Sequence, residues 1–304
     1  MAPKVRIDTL ITEQENLNSH DLDLMSTLQM LDIMNTEDTL VAVAVRRVLP
    51  DIAKIVDACA ERLARGGRIL YVGAGTSARL AYMDAAECPP TFGVSPDLIQ
   101  VRMAGGREAV FCAQEGREDA ENDGAQAVME WGVTQKDCVI GIASSGRTPY
   151  VLSALNTARD NGAFTALICA NNVPSEFADV VVCCITGPEV LTGSTRLKAG
   201  TAAKMMLNMI STAVMIRSGR TYGNHMCYIK STNGKLSNRH VSVIQQCTGM
   251  KREAAMELLK QTDSNLALAL TMALAETSKD EAAKALDAAG GKIREAVRAL
   301  LGGA

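Results

Sequence analysis

The chain has 304 residues, 47% hydrophobic and 21% charged, the balance of a soluble globular protein with room for one large domain and one small. A formal net charge of -3 and the lack of any Lys/Arg block give no electrostatic reason for nucleic-acid binding. Nine cysteines without a C-x-x-C pair, several inside apolar runs (Cys138, Cys169, Cys183), fit a reducing cytoplasm better than a disulfide framework. No apolar run approaches the roughly 20 residues a bilayer requires, and Met1–Val5 opens no cleavable apolar signal, so no membrane segment is expected.

Residues 21–65 read as helices. Leu24, Leu28, Leu31 and Met34 recur at helical spacing, Asn35-Thr36-Glu37-Asp38 reads as a stop and a fresh cap, and a second helix runs from Leu40 to Ala64 with a break or kink at Pro50. From Arg68 short apolar runs take over: Ile69–Val72, Leu98–Met103, Cys138–Ala143, Thr165–Cys169 and Val180–Ile185. Between them Ala78–Ala86, Asp119–Trp131 and Pro149–Asn161 read as helices. All-apolar strands separated by helices indicate an α/β fold with a parallel sheet covered on both faces. Ligands then collect at the carboxyl ends of the strands. Thr195–Ser218 is the longest helical pattern, and its methionines read as core or subunit-interface filler. A polar stretch, Ser231–Lys235, leads into short amphipathic helices from Val241 to Leu301, punctuated by Thr248-Gly249 and Gly290-Gly291. The expected division is an N-terminal helical segment at 1–58, a main domain at 59–222, and a linker with a small helical domain at 223–304.

The loop after the first strand, Gly73-Ala74-Gly75-Thr76-Ser77, fits either a dinucleotide turn or an anion cradle. Against the dinucleotide, the second strand ends in Met103-Ala104-Gly105-Gly106 with no acid for a ribose. The loop after the third strand, Ser144-Ser145-Gly146-Arg147-Thr148-Pro149, sets three hydroxyls around a glycine at a helix start. Capping explains one of these hydroxyls, not three. Two hydroxyl-lined helix starts at neighbouring strand ends suit one phosphate better than an extended dinucleotide. A third stretch, Thr192–Lys198 with Ser194, either holds an anionic group or caps the long helix.

Glu87 sits at a helix end before Cys88-Pro89-Pro90, where the helix dipole opposes a negative charge. Glu115-Gly116-Arg117-Glu118-Asp119 forms a second acidic cluster. In one pocket, Glu87 and an acid of that cluster could serve as general acid and base. The three histidines, His20, His225 and His240, make no metal-binding spacing, and no G-x-S-x-G elbow is present. No metal or cofactor is expected.

These motifs together, with Glu87-Cys88-Pro89-Pro90-Thr91-Phe92-Gly93 and Gly193-Ser194-Thr195-Arg196-Leu197-Lys198, closely resemble the N-acetylmuramic acid 6-phosphate etherases. The similarity extends from Leu10-Ile11-Thr12-Glu13 to the helical tail. It implies a three-layer αβα sugar isomerase (SIS) domain with a parallel sheet, N-terminal helices, a small C-terminal helical domain and a homodimer. It also implies cleavage of the D-lactyl ether at C3 of the sugar by elimination and water addition, with Glu87 the acid and Glu118 the base. Glu87 is expected to be held protonated by partial burial beside Cys88 and Pro89. Gly75, Thr76, Ser77, Ser144, Ser145, Gly146 and Thr148 would hold the phosphate with Ser194, and Lys198 or Arg196 would face the lactyl carboxylate. Ala78 and Ala81 stand where the family pattern leads one to expect glycine. An aldose–ketose isomerase on the same fold, and a non-catalytic sugar-phosphate sensor like the regulatory protein of glucokinase, are the competing readings. The second carries two such domains, and this chain has motifs for one.

Overall fold

The computed structural model describes residues 9–229 and 234–303. The expectations for Met1–Val5 and for Ser231–Asn233 of the polar stretch lie outside them. Three single turns of 3-10 helix, Ile11–Glu13, Leu17–Ser19 and Leu22–Leu24, precede α1 (Thr27–Arg47). Ser26 and Gln29 close a capping box at its start. Contrary to expectation α1 runs unbroken through Asn35–Asp38, because Glu37 turns inward and finds its partners in the fold. The next helix, α2 (Leu49–Ala64), carries Pro50 in its first turn, where a missing N–H leaves no bond unmade. The boundary expected at 58/59 therefore falls inside a helix.

The main unit continues as β1 (Ile69–Gly73), α3 (Gly75–Phe92), β2 (Ile99–Met103), α4 (Glu108–Phe111), α5 (Glu121–Trp131), β3 (Cys138–Ile142), α6 (Pro149–Asp160), β4 (Phe164–Cys169), β5 (Val180–Cys183) and α7 (Lys198–Arg217). The five strands form one parallel sheet in the order β2-β1-β3-β4-β5, with Ile69 in register with both Ile99 and Cys138. Every residue of β1, β3 and β4 is buried, which is why these runs lack alternation. Leu70, Val72, Val139, Val151, Leu155 and Leu167 share one core cluster. The Asp84 carboxylate, buried on α3, accepts from Tyr71 Oη (3.1 Å) and Ser211 Oγ (2.9 Å) and so joins β1, α3 and α7 by side chains.

Two expected helix ends differ. α3 passes through Pro89 and Pro90 to Phe92, and the Gly93 N–H closes its last turn on Pro89 O at 2.9 Å. Both prolines lie in that last turn, where their fixed φ is helical and few ladder bonds are lost. α7 begins at Lys198, not Thr195. It is long and apolar enough for a bilayer by length and composition, yet more than half of it is buried, as in the core helix of a globular fold.

The chain separates into two compact units, one running through Ala85 and from Pro96 to Thr212, the other taking Ala86–Ser95 and the chain from Ala213. The second holds an antiparallel ribbon of β6 (Thr221–Tyr222) and β7 (His225–Met226), followed by α8 (Gly234–Thr248), α9 (Arg252–Gln261), α10 (Leu266–Ala275), α11 (Lys279–Ala288) and α12 (Ile293–Leu300). Ile244, Ala255, Leu270, Ile293 and Ala296 form its core. Thr248-Gly249 and Gly290-Gly291 fall at the ends of α8 and α11, where the sequence sets its breaks.

Candidate active site

β1 connects onward to β2 on one side of the sheet, and β3 to β4 on the other, so the sheet order reverses between β1 and β3. Their carboxyl ends flank the crevice where parallel sheets hold ligands. A cleft of about 630 Å³ opens there. It is lined by Gly75, Thr76 and Ser77 at the start of α3, and by Ser144, Ser145 and Thr148 ahead of α6. Glu118, from a 3-10 turn at Arg117–Asp119, reaches the same cleft. A second cleft of about 390 Å³ shares Gly75 and Glu118, so this carboxylate stands on the rim between the two.

The α6 loop is built to present hydroxyls. Thr148 occupies the N-cap position but makes no capping bond, and Pro149 needs none. Ser145 Oγ accepts from Arg147 N–H at 3.2 Å, which closes a small turn. Gly146 holds φ +68°, and a Cβ there would fall 2.6 Å from Val173 Cγ1 and 3.1 Å from Cys169 Cβ. Only glycine fits, in conformation and in space. The Ser144 carbonyl accepts from Ala170 N–H (3.0 Å) and from the buried Asn171 amide (2.9 Å), fixing the loop to the end of β4.

Residues 120–213 match the SIS domain family, and residues 51–159 match the glucokinase regulatory protein N-terminal SIS domain. These matches overlap on the one five-stranded sheet, so they mark a single domain. An N-acetylmuramic acid 6-phosphate etherase of Clostridium beijerinckii is 47% identical over 97% of this chain and 97% of its own. That of Salinibacter ruber is 46% identical over 96% and 94%. The chain belongs to the N-acetylmuramic acid 6-phosphate etherase family. Among solved structures, a phosphoheptose isomerase from Francisella tularensis is similar at a TM-score of 0.49 and 17% identity, over 63% of this chain and all of its own.

Against the etherase pattern, the geometry unites some expected residues and sets others apart. Gly75, Thr76, Ser77, Ser144, Ser145, Thr148 and Glu118 line one cleft, with Gly146 forming the underside of its turn. Lys198 does not face a ligand. It is buried and ion-paired with Glu37 of α1, whose other oxygen accepts from Asn18 Nδ2 at 2.9 Å. Burial pushes the Glu37 carboxyl up, but hydrogen bonds from Lys198, Asn18 and Asn16, with the Lys198 charge, outweigh it and hold it below its ordinary value.

The start of α7 is also closed to an anion. Glu189 Oε2 accepts from Lys198 N–H and its Oε1 from Ala199 N–H, each at 2.9 Å, so a protein carboxylate already caps the helix. Burial raises the Glu189 carboxyl despite those backbone bonds. Ser194 stays outside the cleft, and its neighbour Thr195 lines it instead. Arg196 is exposed.

In the single chain Glu87 is exposed on α3 and does not line the cleft, while Cys88 occupies the buried side of the helix. Sequence reasoning gave no role to Thr12, Glu13 or Arg147, all of which line the cleft, and of the Thr192–Lys198 stretch only Thr195 lines it. For Glu13 the only signal was that Leu10–Glu13 belongs to the resemblance. Among the described residues no cluster of three His, Cys, Asp or Glu is placed to hold a metal ion.

Proposed function

We propose that this protein cleaves the D-lactyl ether of N-acetylmuramic acid 6-phosphate to N-acetylglucosamine 6-phosphate and D-lactate. The observation that carries this reading is the sharing of one cleft by two hydroxyl-lined helix starts and the Glu118 carboxylate. Hydroxyls and backbone N–H groups at the starts of α3 and α6 hold the phosphate ester. Opening of the ring exposes an aldehyde, which acidifies the proton at C2. Glu118 takes that proton, the C3–O bond breaks, and lactate leaves with a proton from an acid. Water then adds at C3 of the unsaturated aldehyde.

The acid is Glu87, delivered to the cleft by a second copy of the chain. Two observations support this arrangement. Glu87 is exposed, and Met83, one turn before it on α3, is 45% exposed. On α1, Leu28, Leu31, Leu40 and Val43 are 77%, 56%, 51% and 51% exposed, large apolar side chains that a homodimer would cover. No disulfide joins any of the nine cysteines, in keeping with a cytoplasmic enzyme.

The test mixes purified protein with N-acetylmuramic acid 6-phosphate and assays D-lactate. Release of D-lactate is expected, and its absence from folded protein refutes the reading. In solvent labelled with heavy oxygen the label should enter the product at C3; an unlabelled product would exclude elimination followed by water addition.

A further inference from the structure

The cleft holds more acid than the proposed chemistry uses. Glu13, Glu118 and Asp119 all line it, and only Glu118 has been given work on the substrate. Glu13 arrives from the far end of the sequence, in the 3-10 turn Ile11–Glu13.

That turn is tied directly to the phosphate loop. Asn171, 1% exposed, accepts on Oδ1 from Ile11 N–H at 2.7 Å and from Thr12 N–H at 3.4 Å. Its Nδ2 donates to Thr12 Oγ1 at 3.0 Å and to the Ser144 carbonyl at 2.9 Å. One buried amide thus fixes the Glu13 turn and the Ser144 loop to each other. On its other side the Glu13 carboxylate lies against Gly193, which holds φ +75°. A Cβ on Gly193 would fall 2.8 Å from Glu13 Oε2. The carboxylate is therefore seated, not sweeping through solvent. Among the described residues it takes no hydrogen bond or ion pair from the protein.

A carboxylate is an acceptor only, and it repels phosphate. A seated, half-buried one without a protein donor is satisfied by water or by a ligand. It must face the part of that ligand that carries donors and no negative charge. In a sugar phosphate that part is the hydroxylated carbon chain. Resting on the sugar-phosphate reading above, we infer that Glu13 is a substrate-binding, specificity-determining residue that accepts hydrogen bonds from the sugar hydroxyls while the two hydroxyl turns hold the phosphate. The cleft then combines donors from the two hydroxyl turns with an acceptor from Glu13. It selects a polyhydroxylated phosphate ester over a bare phosphate.

The experiment compares calorimetric binding of N-acetylglucosamine 6-phosphate and of inorganic phosphate to the wild type and to Glu13→Gln. Loss of a charge-assisted acceptor should weaken the sugar phosphate by about tenfold. Inorganic phosphate should bind unchanged or more tightly, since a repelling charge has gone. Parallel weakening of both ligands would make Glu13 a structural residue. Tightening of both would make it a repelling charge alone. Either result, or no change, overturns the inference. Gly193→Ala displaces the carboxylate without removing it and should reproduce the selective loss; equal affinity for the sugar phosphate in that variant counts against the seat described. Failure of the wild type to release D-lactate would refute the etherase reading and leave this binding comparison standing.

Discussion

Lys198 and Glu37 form an ion pair that joins the first turn of α7 to the middle of α1, with side chains only 2% and 6% exposed. Removing one partner strands the other charge in the core. Lys198→Met should therefore destabilise the protein by about 3–5 kcal/mol, and Lys198→Met with Glu37→Met should recover most of that loss. Chemical denaturation of the three proteins measures both. If the single variant unfolds at the wild-type midpoint, the pair contributes nothing.

The same pair makes stability depend on acid. Glu37 titrates below its ordinary value of 4.5 in the fold, so its contribution is complete above that pH and disappears as pH falls through the lower, folded value. Asp137 behaves alike. Burial raises it, but bonds from Arg68 and Thr134 outweigh burial and hold it below 3.8. Between about pH 6 and about pH 3, Glu37→Gln should lose less stability than the wild type. Parallel stability curves would contradict this.

For the proposed base, Glu118→Gln should lower D-lactate release by about a hundredfold to ten-thousandfold. It should also abolish exchange of the C2 proton with solvent while N-acetylglucosamine 6-phosphate still binds. Unchanged exchange, read by deuterium incorporation, would remove Glu118 from that role.

Mixed subunits test where the acid comes from. If Glu87 of the partner subunit completes each cleft, equal amounts of Glu87→Gln and Glu118→Gln chains, each inactive alone, should regain about a quarter of wild-type activity after exchange, because half the dimers then carry one intact site. A mixture that stays inactive places both groups in one chain.

In the phosphate loop, Thr148→Val should weaken the sugar phosphate by about tenfold and leave the fold intact, because its hydroxyl caps no helix turn. A large drop in thermal midpoint would instead make Thr148 a structural cap.

The sheet was legible because a strand buried on both faces is apolar at every position, as in Ile69–Val72 and Cys138–Ile142. The hydroxyl loops were legible because capping accounts for one serine or threonine and not for three. What stayed hidden depends on distance along the chain. Lys198 and Glu37 stand 161 positions apart, so no local window reveals that a cation beside a hydroxyl cluster is already paired. The same burial explains why Asn35–Asp38, polar and cap-like in isolation, continues a helix. Glu189 concealed itself similarly: a carboxylate nine positions before Lys198 fills the helix start that seemed open to a ligand. Glu13 required the long reach of Asn171 to be seen at all.

The Gly146 turn has Val173 and Cys169 packed beneath it, and the Ser144 carbonyl is pinned by two donors. Such a nest has its shape before any ester arrives. Capture then involves no folding of a loop around the anion, and little configurational freedom is surrendered on contact. Rapid mixing with N-acetylglucosamine 6-phosphate should accordingly yield one exponential whose rate climbs in proportion to ligand concentration, without the plateau that a slow rearrangement imposes.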